Sequence, residues 1–176
     1  MGRPACWVRE EARHRYGSGS ISVCIFANGR ECYDEKRFDG WSDFSVSIIT
    51  PIYGSGEEIE RNLSELAESL AQQTIKPLEW FIVGDNTTEW VKSKPLPTFT
   101  KILECQDIRQ ATKKNLAIDK AIGDYILVID ADQEAEPSVI EQCLEKAKQG
   151  YNAVTMPEVF QKPKSYLQEC YYLIRT

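Results

Sequence analysis

From Ser45 onward, short apolar runs alternate with segments whose apolar residues recur every three to four positions. Val46 to Thr50 is rich in β-branched residues and stopped by Pro51, which predicts a strand. Ile59, Leu63, Leu66 and Leu70 follow at spacings of four, three and four, the stripe of one helical face. Ser55 with Glu58 makes a capping-box pattern, so this helix is expected to start at Ser55. Pro77 separates it from a second strand, Leu78 to Val83. Lys92 to Pro97 reads as an exposed, stiff connection, and Lys101 to Cys105 as a short third strand. A helix from Arg109 to Ile122, closed by Gly123, leads into a fourth strand, Tyr125 to Ile129. Pro137 suits the first turn of a helix through Lys148, with Val139, Ile140, Cys143, Leu144 and Ala147 inward and Gly150 at its end. Asn152 to Met156 is a fifth strand, and Lys164 to Arg175 has an amphipathic helical pattern. Strands alternating with helices predict an α/β fold, a Rossmann-like parallel sheet with flanking helices and right-handed crossovers.

Residues 1–44 differ from the rest: they are rich in Arg, Gly, Ser and Asp, and hold one strand-like run, Ile21 to Phe26, before a turn at Ala27 to Gly29. They are treated as an N-terminal extension without an assigned role, and residues 45–176 as the functional domain. The length of 176 residues allows one domain with a sizeable core. A net charge of -6 argues against a nucleic-acid surface. No run is long and apolar enough to span a bilayer, and the N-terminal arginines lack an apolar core for a secretory signal. The expected location is cytoplasmic, with the C-terminal amphipathic helix available for a peripheral membrane or protein partner. The six cysteines, Cys6, Cys24, Cys32, Cys105, Cys143 and Cys170, suit buried thiols better than a disulfide scaffold, with Cys105 on a core strand and Cys143 on a helix face. Cys6, His14, Cys24 and Cys32 lack the paired spacing of a structural zinc site.

The sharpest chemical feature is the apolar run from Tyr125 that ends in Asp130-Ala131-Asp132. On an extended chain alternate side chains point the same way, so the two carboxylates are expected to face one spot at the sheet edge where open α/β folds bind ligands. Like charges so placed favour a hard cation, Mg2+ or Mn2+, that shares its ligands with a diphosphate; a helix-capping turn is the plainer reading. The loop from Pro51 to Gly56 has the glycines and following helix of an anion site, or of a simple tight turn, and Tyr53 either stacks on a base or covers the core edge. Asp85 ends the second strand, suited to the N–H groups of uracil or guanine, or to a turn. Arg109, Lys113 and Lys114 either screen a diphosphate or form a solvated helix face, with Asn115 able to bond a loop or ligand.

Five blocks in order, Ser45-Val-Ser-Ile-Ile-Thr-Pro-Ile-Tyr53, Ser69-Leu-Ala-Gln-Gln-Thr-Ile-Lys-Pro77, Phe81-Ile-Val-Gly-Asp-Asn-Thr-Thr-Glu89, Ala111-Thr-Lys-Lys-Asn-Leu-Ala117 and Gly123-Asp-Tyr-Ile-Leu-Val-Ile-Asp-Ala-Asp132, resemble family 2 glycosyltransferases across Ser45 to about Met156. The resemblance implies the A-type glycosyltransferase fold, its nucleotide-binding half, and transfer from a UDP- or GDP-sugar to an acceptor sugar or lipid, mostly with inversion and with Mg2+ or Mn2+. It gives Pro51, Tyr53 and Asp85 to the base and ribose, Lys114 with Asn115 to the phosphate side, Asp130 to ribose and metal, and Asp132 to the metal. The family usually has two adjacent aspartates where this chain has Gly84 and Asp85, and commonly Arg where it has Lys114, a point charge without the guanidinium fork. The family's general base lies further downstream; Glu158 is the nearest carboxylate here and is not assigned that role. The expectation is a donor-binding half, C-terminally truncated or completed by a partner. The rivals are a non-catalytic interaction subunit using Tyr166, Leu167, Cys170, Tyr171, Leu173 and Ile174, and a sugar nucleotidyltransferase, whose glycine-rich loop is basic, whereas Pro51 to Gly56 has the glycines and no Lys or Arg.

Overall fold

The computed structural model describes residues 23–27, 44–54, 56–85, 88–151 and 153–156. They fall within one unit, Ser22–Met156; a second unit, residues 1–21 and 157–176, lies outside them. Six strands form one sheet: β1 (Val23–Ala27), β2 (Val46–Pro51), β3 (Glu79–Gly84), β4 (Thr100–Glu104), β5 (Tyr125–Val128) and β6 (Ala153–Met156), in the order β4-β3-β2-β5-β1-β6. The helices are α1 (Glu57–Ala71), α2 (Thr88–Lys92), α3 (Gln110–Lys120) and α4 (Val139–Lys148).

The four strands β4, β3, β2 and β5 are parallel, as the alternating pattern predicts. The sheet as a whole is mixed. β1 runs antiparallel to both β5 and β6, wedged between them, so a strand from the N-terminal stretch belongs to the same sheet as the domain that follows it. Periodicity places a strand in the chain but carries no information on its partners.

Residues in β2, β3 and β5 are buried along their whole length because helices cover both sheet faces. Alternation sorts them. Ile48, Trp80, Ile82 and Leu127 pack with Leu63, Leu66 and Leu70 of α1 and Ile140, Cys143 and Leu144 of α4. Ile49, Phe81, Val83, Ile126 and Val128 pack with Ala117 of α3 and Ala121 just past it. The Trp80 indole is satisfied inside the core by the Thr50 hydroxyl at 2.9 Å.

Several expectations shift. α1 begins at Glu57 after Gly56, with no side-chain cap bond; Ser55, expected to cap it, lies outside the described residues. Pro51 is the last residue of β2 rather than a stop before it, since its position at the strand end needs no donated ladder bond. The connection after β3 contains the short α2. Cys105 is a half-buried free thiol just beyond β4, not in it, whereas Cys143 is buried on α4 as predicted. α4 starts at Val139, two residues after Pro137. The turn at Asn28 and Gly29, the Lys164–Arg175 helix, Asn152, Glu158, Cys6, His14, Cys32 and Cys170 lie outside the described residues, as does the side chain of Cys24.

Gly123 does not close α3 in a left-handed conformation; α3 ends at Lys120 and, among the described residues, positive φ is confined to Gly54, Gly56 and Gly150. It is needed for close approach. A Cβ there would lie 2.6 Å from the Ser47 amide nitrogen. Around it the strand starts are laced together. Gly123 N–H donates to Ser47 Oγ at 2.9 Å, Ser47 Oγ donates to Glu79 Oε1 at 2.6 Å, and Ile122 N–H donates to the same oxygen at 2.7 Å. Lys101 Nζ reaches Glu79 Oε2 at 2.6 Å. Burial alone pushes the Glu79 carboxyl up, but the Ile122 N–H, the Lys101 ammonium and the Ser47 hydroxyl together hold it below its ordinary value of about 4.5.

Two outcomes follow. Gly123→Ala lowers unfolding stability by about 1–3 kcal/mol, and Ser47→Ala does not restore it, because the nearest clashing atom is backbone. Glu79→Gln costs about 1–3 kcal/mol at neutral pH by leaving donors poorly matched. The depressed carboxyl contributes stability above about pH 4.5 that is lost as pH falls through its lower folded value, so urea unfolding at pH 7 and pH 3.5 shows the gap to wild type narrowing in acid. A gap independent of pH contradicts this.

Candidate active site

The parallel strands β2, β3, β4 and β5 end at one edge, so the loops after them converge. β2 continues into Ile52, whose N–H donates to Val83 O at 2.9 Å and whose side chain is buried. Tyr53 follows, 37% exposed, and the chain then turns at Gly54 (φ 66°) and Gly56 (φ 147°), conformations that glycine adopts without a Cβ penalty. Asp85 stands half-buried directly after β3. Pro51 is buried beside Val83 in the ladder.

At the end of β5 the ladder runs one residue beyond the strand through Ile129 N–H to Ile49 O, at 3.1 Å. The chain then turns. Gln133 N–H donates to Asp130 O at 3.2 Å, and Asp130 N–H donates to Gln133 Oε1 at 3.1 Å. Asp130 and Asp132 therefore sit on a closed turn rather than on an extended chain, which overturns the alternation argument for their direction. Asp130 is half-buried and Asp132 exposed. The far side of the loop is pinned by α1. Ala135 N–H donates to Ser69 Oγ at 3.1 Å, and buried Gln73 donates to Glu136 O at 2.8 Å while accepting from Ile140 N–H at 3.3 Å. The Ser69–Pro77 block thus serves as the clasp for the acidic loop.

The three basic residues of α3 and its cap divide. The Arg109 guanidinium is committed to Asp107, with Nε at 3.0 Å from both carboxylate oxygens. Arg109 holds the Asp107 carboxyl well below the carboxylate range, and Asp107 raises the guanidinium in turn. Lys114 Nζ lies 3.6 Å from Asp130 Oδ1, which also accepts from Gln110 Nε2 at 3.3 Å. Lys113 is fully buried, against the expectation of a solvated or phosphate-screening face. Asn115, two residues on and about 200° around the helix from Lys113, is exposed.

Tyr53 reports how tightly these groups gather. Burial pushes its phenol above the ordinary 10.0, and the charge of Asp130 raises it further, followed by Cys105, Asp107 and Asp85. The side chains from the ends of β2, β3, β4 and β5 thus share one electrostatic neighbourhood. The sequence did not single out Asp107, and it read Lys113 as screening a diphosphate or lying on a solvated face rather than as buried. Asp107 had a signal, a carboxylate two residues before a helix cap, and its Oδ1 accepts Arg109 N–H at 2.8 Å. Lys113 had one too, since it stands four and eight residues before Ala117 and Ala121 on the inward stripe.

No three His, Cys, Asp or Glu side chains gather as a metal cage among the described residues. Asp130 and Asp132 supply two carboxylates at most, a donor set chemically suited to a hard divalent ion that would take its other ligands from outside the protein rather than to one caged by protein alone. No helix among the described residues is long and apolar enough to cross a membrane.

Comparison with known proteins places the chain in a family. The model for Glycosyl transferase family 2 matches residues 47–169. The glucosyl-dolichyl phosphate glucuronosyltransferase of Haloferax volcanii is 30% identical over 140 residues, covering 73% of this chain and 44% of that one. The undecaprenyl-phosphate 4-deoxy-4-formamido-L-arabinose transferase of Pectobacterium carotovorum is 26% identical over 117 residues, 62% of this chain and 36% of that one. Among solved structures, S. aureus TarS 1-349 is similar with a TM-score of 0.49 and 22% identity, covering 60% of this chain and 32% of that one. The matches thus span less than half the length of each of these relatives.

Replacing Asp130 with Asn removes one negative neighbour of the Tyr53 phenol. In metal-free buffer the phenol then titrates lower, part-way back toward 10, because burial, the larger cause, remains. Tyrosine-labelled carbon NMR measures it, with Tyr53→Phe assigning the signal among the eight tyrosines.

Proposed function

This chain belongs to glycosyl transferase family 2, and on that premise we propose that its carboxyl-edge site binds a nucleotide diphosphate sugar through a divalent cation and donates the sugar to an acceptor hydroxyl. The observation that carries the reading is that the loops bearing Tyr53, Asp85, Asp107 and Asp130 follow four adjacent parallel strands and so open at one edge of the sheet. In this reading Pro51, Tyr53 and Asp85 form the base and ribose pocket, with the Asp85 carboxylate accepting base N–H groups. Lys114 now neutralises Asp130; a diphosphate brings in the same type of charge, and the lysine is placed to serve it as a point charge. Asn115 is the weakest member, since it is exposed and lies well around α3 from Lys113. Asp130 and Asp132 would hold Mg2+ or Mn2+, which supplies Lewis acidity to the leaving diphosphate.

The transfer breaks the bond from the anomeric carbon to the diphosphate oxygen as the acceptor oxygen forms its bond from the opposite side, giving inversion. The hydroxyl proton passes to a general base, and none is assigned among the described residues. Two of the relatives carry lipid phosphates in their names, which supports a lipid-linked acceptor over a free sugar. Family membership also weighs against the nucleotidyltransferase alternative.

Calorimetry with UDP, GDP and TDP in the presence of Mn2+ tests the reading. At least one gives metal-dependent heat, and replacing both Asp130 and Asp132 with Asn weakens its binding at least about tenfold and removes the response to Mn2+. Absence of heat from all three nucleotides overturns the reading.

A further inference from the structure

Lysine is out of place on the inward stripe of α3. Positions 113, 117 and 121 face the sheet; the last two are alanines that let the helix sit close, and the first is fully buried. Its ammonium is not idle. Nζ donates to the Ile52 carbonyl at 2.8 Å and sits 4.0 Å from the centre of the Tyr53 ring. We propose that Lys113 is a positioning residue for the nucleotide platform, holding the loop after β2 and the Tyr53 ring in place before the donor arrives. The proposal rests on the nucleotide-sugar reading above.

The mechanical need is plain. Tyr53 follows the last ladder bond and precedes Gly54 and Gly56, whose positive φ values leave the ring without a further ladder bond to hold it. Ile52 is held from two sides, its N–H by Val83 O and its carbonyl by Lys113. The ammonium then attracts the negative face of the next residue's ring. Tyr53 as a residue stays 37% exposed, which leaves surface for a stacked base. A ring already fixed in one rotamer loses less freedom when the base stacks on it.

Direct contact between Lys113 and a phosphate is the competing use, and burial argues against it. Lys113 has no exposed surface, whereas the side chain of its neighbour Lys114 is 25% exposed and lies beside Asp130. The adjacent lysines therefore divide the work, one supporting the platform from beneath and one facing the charged ligand. Arginine at position 113 keeps the charge and a donor, while methionine keeps the stem and the packing and removes both.

A double-mutant cycle on the full chain decides it, using whichever of UDP, GDP and TDP gives heat with Mn2+. Lys113→Met weakens binding about fivefold to tenfold with little change in melting temperature, and Lys113→Arg regains part of the loss. Tyr53→Ala weakens binding to a similar extent. In the Tyr53→Ala background, Lys113→Met adds less than about twofold, because the lysine acts through the ring. Without nucleotide, proton NMR shows the Lys113 ε-methylene shifted upfield by the ring, a shift absent in Tyr53→Ala. An equal loss from Lys113→Met in both backgrounds, or no loss in either, overturns the proposal alone. A normal ε-methylene shift in the wild-type chain also overturns it. Absence of heat with every nucleotide overturns both it and the reading it rests on.

Discussion

The parallel register sets Pro51 beside Val83, Gly84 beside Glu104 and Val128 beside Ile49, and almost everything else in the molecule follows from those pairings. Parallel strands return to the same end of the sheet only through crossovers, so each βα loop is delivered to the same edge. Four loops of little sequence likeness become neighbours for this reason. At the opposite edge the strand starts are equally constrained. There a buried carboxylate, Glu79, gathers donors from β2, β4 and the turn before β5, and Gly123 lets that turn lie against the Ser47 backbone. The polar lacing at one end fixes the register that the functional end depends on.

At the carboxyl edge of the sheet several charges are already balanced in pairs. Arg109 answers Asp107, Lys114 and Gln110 answer Asp130, and Lys113 rests between a carbonyl and an aromatic face. Such pairing lowers the cost of holding many charges in a small, half-buried space before a ligand arrives. In the proposed function, a diphosphate would exchange partners with existing groups rather than meet bare ones. Asp132, the more exposed carboxylate of the acidic turn, has no ion-pair partner among the described residues.

The acidic turn shows how local chemistry and tertiary restraint combine. Its near side is closed by Gln133 onto Asp130, and its far side is clasped by Ser69 and Gln73 at the end of α1. α1 reaches that place because its Leu63, Leu66 and Leu70 stripe packs on the same sheet face as α4. A helix that reads as mere core packing therefore also orients the loop expected to carry the metal.

Element type and order were legible in the sequence because burial imposes period two on strands and three to four on helices. Four parallel strands, the stripes of α1 and α4, and the placing of Asp85 and Asp130 after strands all follow from those periods and from turn residues. The family was legible by resemblance, from five blocks standing in order along the chain. Three matters were settled only by folding. Strand β1 joined the sheet antiparallel between β5 and β6, since pairing is a long-range choice that leaves no local trace. Asp130 to Gln133 closed into a turn, since a side chain three residues on could bond back to the main chain. Lys113 went inside, because a carbonyl and a ring from a loop sixty residues earlier were waiting at the end of its stem, and no window of sequence contains both.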